Sequence, residues 1–78
     1  MIFVYVLKSC NHNFRYIGIT NNIARRIEEH NAGKNASTSF YKPFLLVYNE
    51  EAPDYKSARK REIFLKSGKG RAFLDTIK

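Results

Sequence analysis

Hydrophobic and polar positions fall in blocks along this chain, and each block has its own period. Residues 2–7 form an unbroken β-branched and aromatic run closed by the polar stretch 8–13, which predicts a strand and a turn. Residues 14–19 predict a second strand and an antiparallel hairpin. Thr20-Asn21-Asn22 supplies helix N-cap chemistry and leaves open which of the three residues caps. The helix runs to His30, where Asn31-Ala32-Gly33 offers a C-terminal stop. A polar loop follows over 33–43, then a third strand over 44–48, continuing to Glu50. Asp54 is placed to cap a second helix ending at Lys66. Ser67-Gly68-Lys69-Gly70 breaks that helix, and residues 71–78 predict a short final one. The order β-β-α-β-α-α is that of an α+β domain spanning residues 1–78: a small three-stranded antiparallel sheet flanked by helices.

The informative residues are polar groups at positions where the period asks for apolar ones. On a wheel advancing 100° per residue, Ile23, Ile27 and His30 share one stripe, with Arg26 on its edge and Arg25 facing away. Arg26 and His30 are one turn apart on the same side. A snorkelling arginine beside a core-edge histidine explains the pattern as well as a functional pair does. On the second helix Glu62 falls inside the arc made by Tyr55, Ala58 and Leu65. A carboxylate there is costly unless it is paired or holds a metal, and an ion pair with Arg26 or Arg61 is the structural alternative. In the hairpin, a loop over residues 9–12 sets Tyr5 directly opposite Tyr16, with Gly18 on the same face leaving room above the sheet. An aromatic pair that only packs is the alternative there.

Composition narrows the functional classes. The chain has 78 residues and one cysteine, Cys10, so a disulfide framework and a thiolate zinc site are excluded. Its formal charge is +7, from 14 Lys and Arg against 7 Asp and Glu. A field of that sign on so small a body points to a polyanion, through phosphate contacts and counterion release. Half of the cations, Lys56, Arg59, Lys60, Arg61, Lys66, Lys69 and Arg71, cluster on the two C-terminal helices. Gly68-Lys69-Gly70 lacks the P-loop pattern. The apolar N-terminus carries no basic leader and is too short to span a bilayer, so a cytoplasmic protein without membrane association is expected.

Taken together, Phe3-Val4-Tyr5, Tyr16-Ile17-Gly18, Arg26, His30 and Glu62, with the strings over residues 16–31 and 61–71, resemble the GIY-YIG nuclease superfamily, and within it the small stand-alone bacterial members. The resemblance covers essentially the whole chain. Phe3 stands where the family's name-giving Gly would be, and no Asn follows Asn49, where many relatives carry one.

The resemblance implies a metal-dependent endonuclease that hydrolyses DNA phosphodiester bonds, with a role in DNA repair or recombination. In that reading Tyr5 and Tyr16 position or activate the attacking water, Arg26 stabilises the phosphate, His30 orients its neighbours or relays a proton, and Glu62 is the single protein ligand of Mg²⁺, with Mn²⁺ as a substitute. The basic helices would grip backbone phosphates with low sequence selectivity, leaving targeting to DNA structure, a second copy or a partner. Two other classes stay open: a catalytically weak nucleic-acid-binding module of the same fold, and a basic protein-interaction domain.

Overall fold

The computed structural model describes residues 1–77. Three strands, β1 (Ile2–Ser9), β2 (Arg15–Thr20) and β3 (Phe44–Ala52), form one antiparallel sheet in the order β2-β1-β3. Three α-helices, α1 (Ile23–Asn31), α2 (Tyr55–Lys66) and α3 (Gly68–Asp75), complete the β-β-α-β-α-α order expected from the pattern. The caps follow their side-chain chemistry: Asn22 accepts from the Arg25 N–H at the start of α1, and Asp54 accepts from the Ser57 N–H at the start of α2. The polar loop carries a short 3₁₀ turn, Ser39–Tyr41.

Strand alternation divides the core in two. Val4 and Val6 point to the layer made by α2 and α3, where they pack with Ala52, Ala58, Leu65 and Leu74. Tyr5 and Leu7 point the other way and pack with Phe44, Phe14, Tyr16, Tyr41 and Ile27 under α1 and the loop. Asn31 ties that loop to the sheet, because its side chain accepts from the Phe44 N–H at 2.6 Å and donates to the Phe44 carbonyl at 3.3 Å. No helix among the described residues is long and apolar enough to cross a membrane.

Three local expectations need correction. Tyr5 pairs with Gly18 rather than Tyr16, which pairs with Leu7. The cause lies in the turn: Ser9 Oγ accepts from the Asn11 and His12 N–H groups, and the Ser9 N–H donates to the Phe14 carbonyl. β1 therefore runs to Ser9 and the connection moves to residues 10–14. The slip is by two residues, so Tyr5 and Tyr16 keep a common face. The break before the last helix is Ser67 alone, which ends α2 and caps α3 through its side chain. Gly70 sits inside α3 because a Cβ there would collide with the Phe64 carbonyl and the Leu65 backbone at the α2–α3 corner. The expected end of that helix, Lys78, lies outside the described residues. Finally, Tyr55 is 60% exposed and does not belong to the buried stripe of α2, which is Ala58, Glu62 and Leu65.

Candidate active site

Four side chains converge on the α1 face of the sheet. Tyr5, in the central strand, is 1% exposed, and its hydroxyl lies 3.2 Å from Nε2 of His30. Arg26, one turn before His30 on α1, donates from Nε to the same hydroxyl across a long 3.4 Å contact. The Tyr16 ring lies over both, with centroids 6.1 Å from Tyr5 and 4.7 Å from His30. Gly18 makes this arrangement possible, since a Cβ there would stand 2.6 Å from Tyr5 Oη and 2.9 Å from Tyr16 Cε2.

The hydrogen bonds fix a direction for the protons. His30 is fully buried and its Nδ1 lies 3.0 Å from Thr38 Oγ1. The Thr38 hydroxyl donates to the Asn35 carbonyl at 3.3 Å, so toward His30 it acts as acceptor. This network assigns the His30 proton to Nδ1, with the Nε2 lone pair toward Tyr5. Arg26 fills an acceptor site of the phenol oxygen, so Tyr5 donates to His30. The order is Arg26 to Tyr5 to His30, with His30 donating at its far side to Thr38.

Electrostatics agrees with that order. Burial pushes the Tyr5 phenol above the usual tyrosine range, against the opposing pull of Arg26. Burial also depresses His30, and the Arg26 charge beside it adds to the effect. At neutral pH the pair is therefore a neutral phenol donating to a neutral imidazole. Arg26 is held on its charged form chiefly by Glu29, whose Oε1 lies 2.8 Å from Nη1, and secondarily by Tyr5. Glu29 in turn is held low by Arg26. Arg26 Nη2 makes no hydrogen bond among the described residues, and the side chain is 28% exposed. Arg26 and Tyr16 are thus the partly exposed members of the cluster, beside the buried Tyr5.

Glu62 is set apart from this cluster. It lies on the sheet-facing stripe of α2, the one buried carboxylate among the described residues. Its ion-pair partners are neither Arg26 nor Arg61, as the pattern suggested, but two residues of its own helix. Lys66 Nζ lies 3.1 Å from Oε2 and Arg59 Nη1 lies 3.5 Å from Oε1. Arg61 pairs instead with Glu50 and packs over the Phe64 and Phe73 rings. No polar contact among the described residues joins Glu62 to Tyr5, Tyr16, Arg26 or His30. No group of three His, Cys, Asp or Glu side chains forms a cage among them either. The donor set suits only a hard cation that is content with one carboxylate, its own waters and substrate oxygens, which describes Mg²⁺.

Of the remaining candidate cations, Lys56, Arg59, Lys60, Lys66, Lys69 and Arg71 are exposed on α2 and α3, while Arg61 is half-buried in its pairing. Two participants escaped the sequence reading. Thr38 fixes the His30 tautomer from a polar loop whose fold over the sheet leaves no periodic trace. Glu29 was findable as an i+3 partner of Arg26.

Residues 1–74 match the model of the GIY-YIG catalytic domain. The chain belongs to the GIY-YIG family. Its sheet and three helices are therefore a nuclease fold. Among its relatives is a UPF0213 protein of Desulfotalea psychrophila, 44% identical over 66 residues, which cover 82% of this chain and 59% of that protein. A UPF0213 protein of Staphylococcus haemolyticus is 41% identical over 66 residues, covering 83% and 79%. The solution NMR structure of the UPF0213 protein of Bacillus halodurans superposes with a TM-score of 0.57 at 32% identity, covering 97% of this chain and 84% of that one. This GIY-YIG chain thus spans less than two thirds of the Desulfotalea relative.

Proposed function

We propose that this GIY-YIG domain is a metal-dependent endonuclease that hydrolyses DNA phosphodiester bonds. One observation carries the reading: the buried Tyr5 hydroxyl lies between His30 and Arg26, in a cluster whose partly exposed members are Tyr16 and Arg26. A phosphodiester resists attack because its charge repels the nucleophile and grows in the transition state. Arg26, charged at every working pH, would hold a non-bridging oxygen through its uncommitted Nη2. The partly exposed Tyr16 and the buried Tyr5 would position the water.

As the water oxygen bonds to phosphorus and the bond to the leaving oxygen breaks, the water must lose a proton. Tyr5 alone offers little base at neutral pH, because burial raises its pKa and keeps the phenol protonated. The His30 lone pair behind it gives the proton somewhere to go: Tyr5 passes its own proton to Nε2 and takes one from water. His30 is fully buried and acts through Tyr5, as a positioning residue. Glu62 would hold Mg²⁺, which supplies Lewis-acid stabilisation of the accumulating charge. For that, Lys66 and Arg59, whose side chains are 56% and 72% exposed, must release the carboxylate.

The cations of α2 and α3 would add backbone contacts of little sequence selectivity. Because Glu62 makes no contact with the cluster, a module that binds DNA without cutting it is the second reading. Incubating the protein with supercoiled and branched DNA, in Mg²⁺, Mn²⁺ or EDTA, separates the two. The proposal expects nicking with either metal and none with EDTA; binding without metal-dependent nicking refutes it.

A further inference from the structure

A cavity of about 660 Å³ opens on the opposite face of the sheet, away from Tyr5 and Arg26. Four of its lining residues are cations, Lys8, Arg15, Lys66 and Arg71, against one acid, Asp75. Lys8 and Arg15 are cross-strand partners in β1 and β2, on the face that α2 and α3 cover. Arg71 of α3 and Lys66 at the end of α2 bring the other two charges to the same mouth. Arg15 Nη1 is braced by Asp75 at 2.9 Å, and Lys66 is held by Glu62. Lys8 and Arg71 carry no ion pair among the described residues, and both are exposed. Two cations at this opening, Lys8 and Arg71, thus have no acid beside them among the described residues, and a bound anion would relieve their repulsion.

The rest of the lining is Asn13, Phe14, whose ring stacks on Tyr41 on the other face, and four aliphatic residues of this layer, Ile17, Val47, Leu74 and Ile77. The cavity therefore asks for a ligand with an anionic end and a body that packs against aliphatic side chains. Its volume lies within the roughly 300–1,000 Å³ of small-molecule sites and is too small for a duplex. A phosphate monoester carries about two negative charges at neutral pH, and the forked guanidinium donors of Arg15 and Arg71 match its oxygens.

From this lining we infer that the cavity binds a nucleoside monophosphate, either free or as the 5′-phosphorylated end of a DNA strand. The phosphate meets the cations and the base lies against the apolar wall. The inference does not rest on cleavage at the Tyr5 site, with which the cavity shares no polar residue, although its Lys66 also holds Glu62.

The test is a ¹⁵N–¹H NMR titration of the full chain at fixed pH and salt. The probes are deoxyadenosine 5′-monophosphate, inorganic phosphate, deoxyadenosine, and a short single-stranded oligonucleotide with and without its 5′-phosphate. Shifts are expected at the amides of Phe14, Arg15, Ile17 and Val47 and not at Tyr5 or His30, with the monophosphate bound at least tenfold more tightly than phosphate or nucleoside alone. If the phosphorylated oligonucleotide reproduces those shifts and its unphosphorylated twin does not, the ligand is a strand end; if only the mononucleotide does, it is the free nucleotide. Lys8→Ala and Arg71→Ala, both at exposed positions and checked for folding by circular dichroism, should each weaken binding about tenfold. Lys66 is left intact because it also holds Glu62. Absence of shifts in the cavity, phosphate alone binding as tightly as the nucleotide, or full affinity in both variants overturns the inference.

Discussion

The proton order through the site rests on Thr38, and replacing it with Val isolates that residue. Val has nearly the shape of Thr but offers no acceptor, so the His30 Nδ1–H loses its 3.0 Å partner. Both residues are sealed from water, Thr38 at 2% exposed and His30 at 0%. The Asn35 carbonyl that loses the Thr38 hydroxyl keeps the Thr38 N–H at 3.1 Å, so the imidazole bears the loss. A buried donor left without a partner costs about 1–3 kcal/mol. Moving the proton to Nε2 gives no escape, because Nδ1 is then an unsatisfied acceptor and Tyr5 must turn its own hydrogen elsewhere. For a domain of this size each kcal/mol lowers Tm by about 4–8 °C, so a drop of about 4–24 °C is expected. Urea and thermal melts followed by circular dichroism measure it, and long-range ¹⁵N NMR of the imidazole reads the tautomer. The wild type should show a proton on Nδ1. A proton on Nε2 in the wild type, or a variant within about 0.5 kcal/mol of it, refutes the assigned order.

Three further outcomes follow from the geometry. Gly18→Ala forces a Cβ to within 2.6 Å of Tyr5 Oη, so both tyrosine rings must move; overpacking of this kind costs about 1–3 kcal/mol in a urea melt, and an unchanged midpoint contradicts the packing described. Arg26→Ala should slow single-turnover cleavage by about 10²–10³-fold, whereas Arg25→Ala, whose side chain is 58% exposed and reaches Glu29 only at 3.9 Å, should change it by about twofold at most; equal losses would disprove the face assignment. His30 has a lowered pKa in the fold, so the unfolded chain takes up its proton first as pH falls. Stability should be level above about pH 6.5 and decline below it, and His30→Asn should remove that part of the decline between about pH 6.5 and 5.

The elements were legible because their signals are local. The run over residues 2–7, the Asp54 cap and the wheel that separates Arg25 from Arg26 each depend on a few neighbouring residues. The hairpin register was not, because it depends on whether Ser9 Oγ folds back on its own turn, and a different loop length moves every cross-strand pair by two. Ser67 and Gly70 were read as one breaker because a glycine needed for close backbone approach looks like a glycine that ends a helix. Period and spacing put Arg26 with His30 on one side of α1 and Tyr5 with Tyr16 on one face of the sheet, and only the family resemblance implied that the two pairs meet. The partners that set their protonation, Thr38 and Glu29, and those that hold Glu62, Lys66 and Arg59, could not be singled out in a chain with 14 cations.

In the proposed nuclease a lone acid outside the Tyr5 cluster supplies the metal ligand, and Glu62→Ala removes it. Nicking of supercoiled DNA in Mg²⁺ should be abolished, while DNA affinity in the presence of EDTA stays within about threefold of wild type, since the cations that grip backbone phosphates remain. A Glu62→Ala protein that is folded and nicks as fast as wild type would show that this carboxylate holds no catalytic metal.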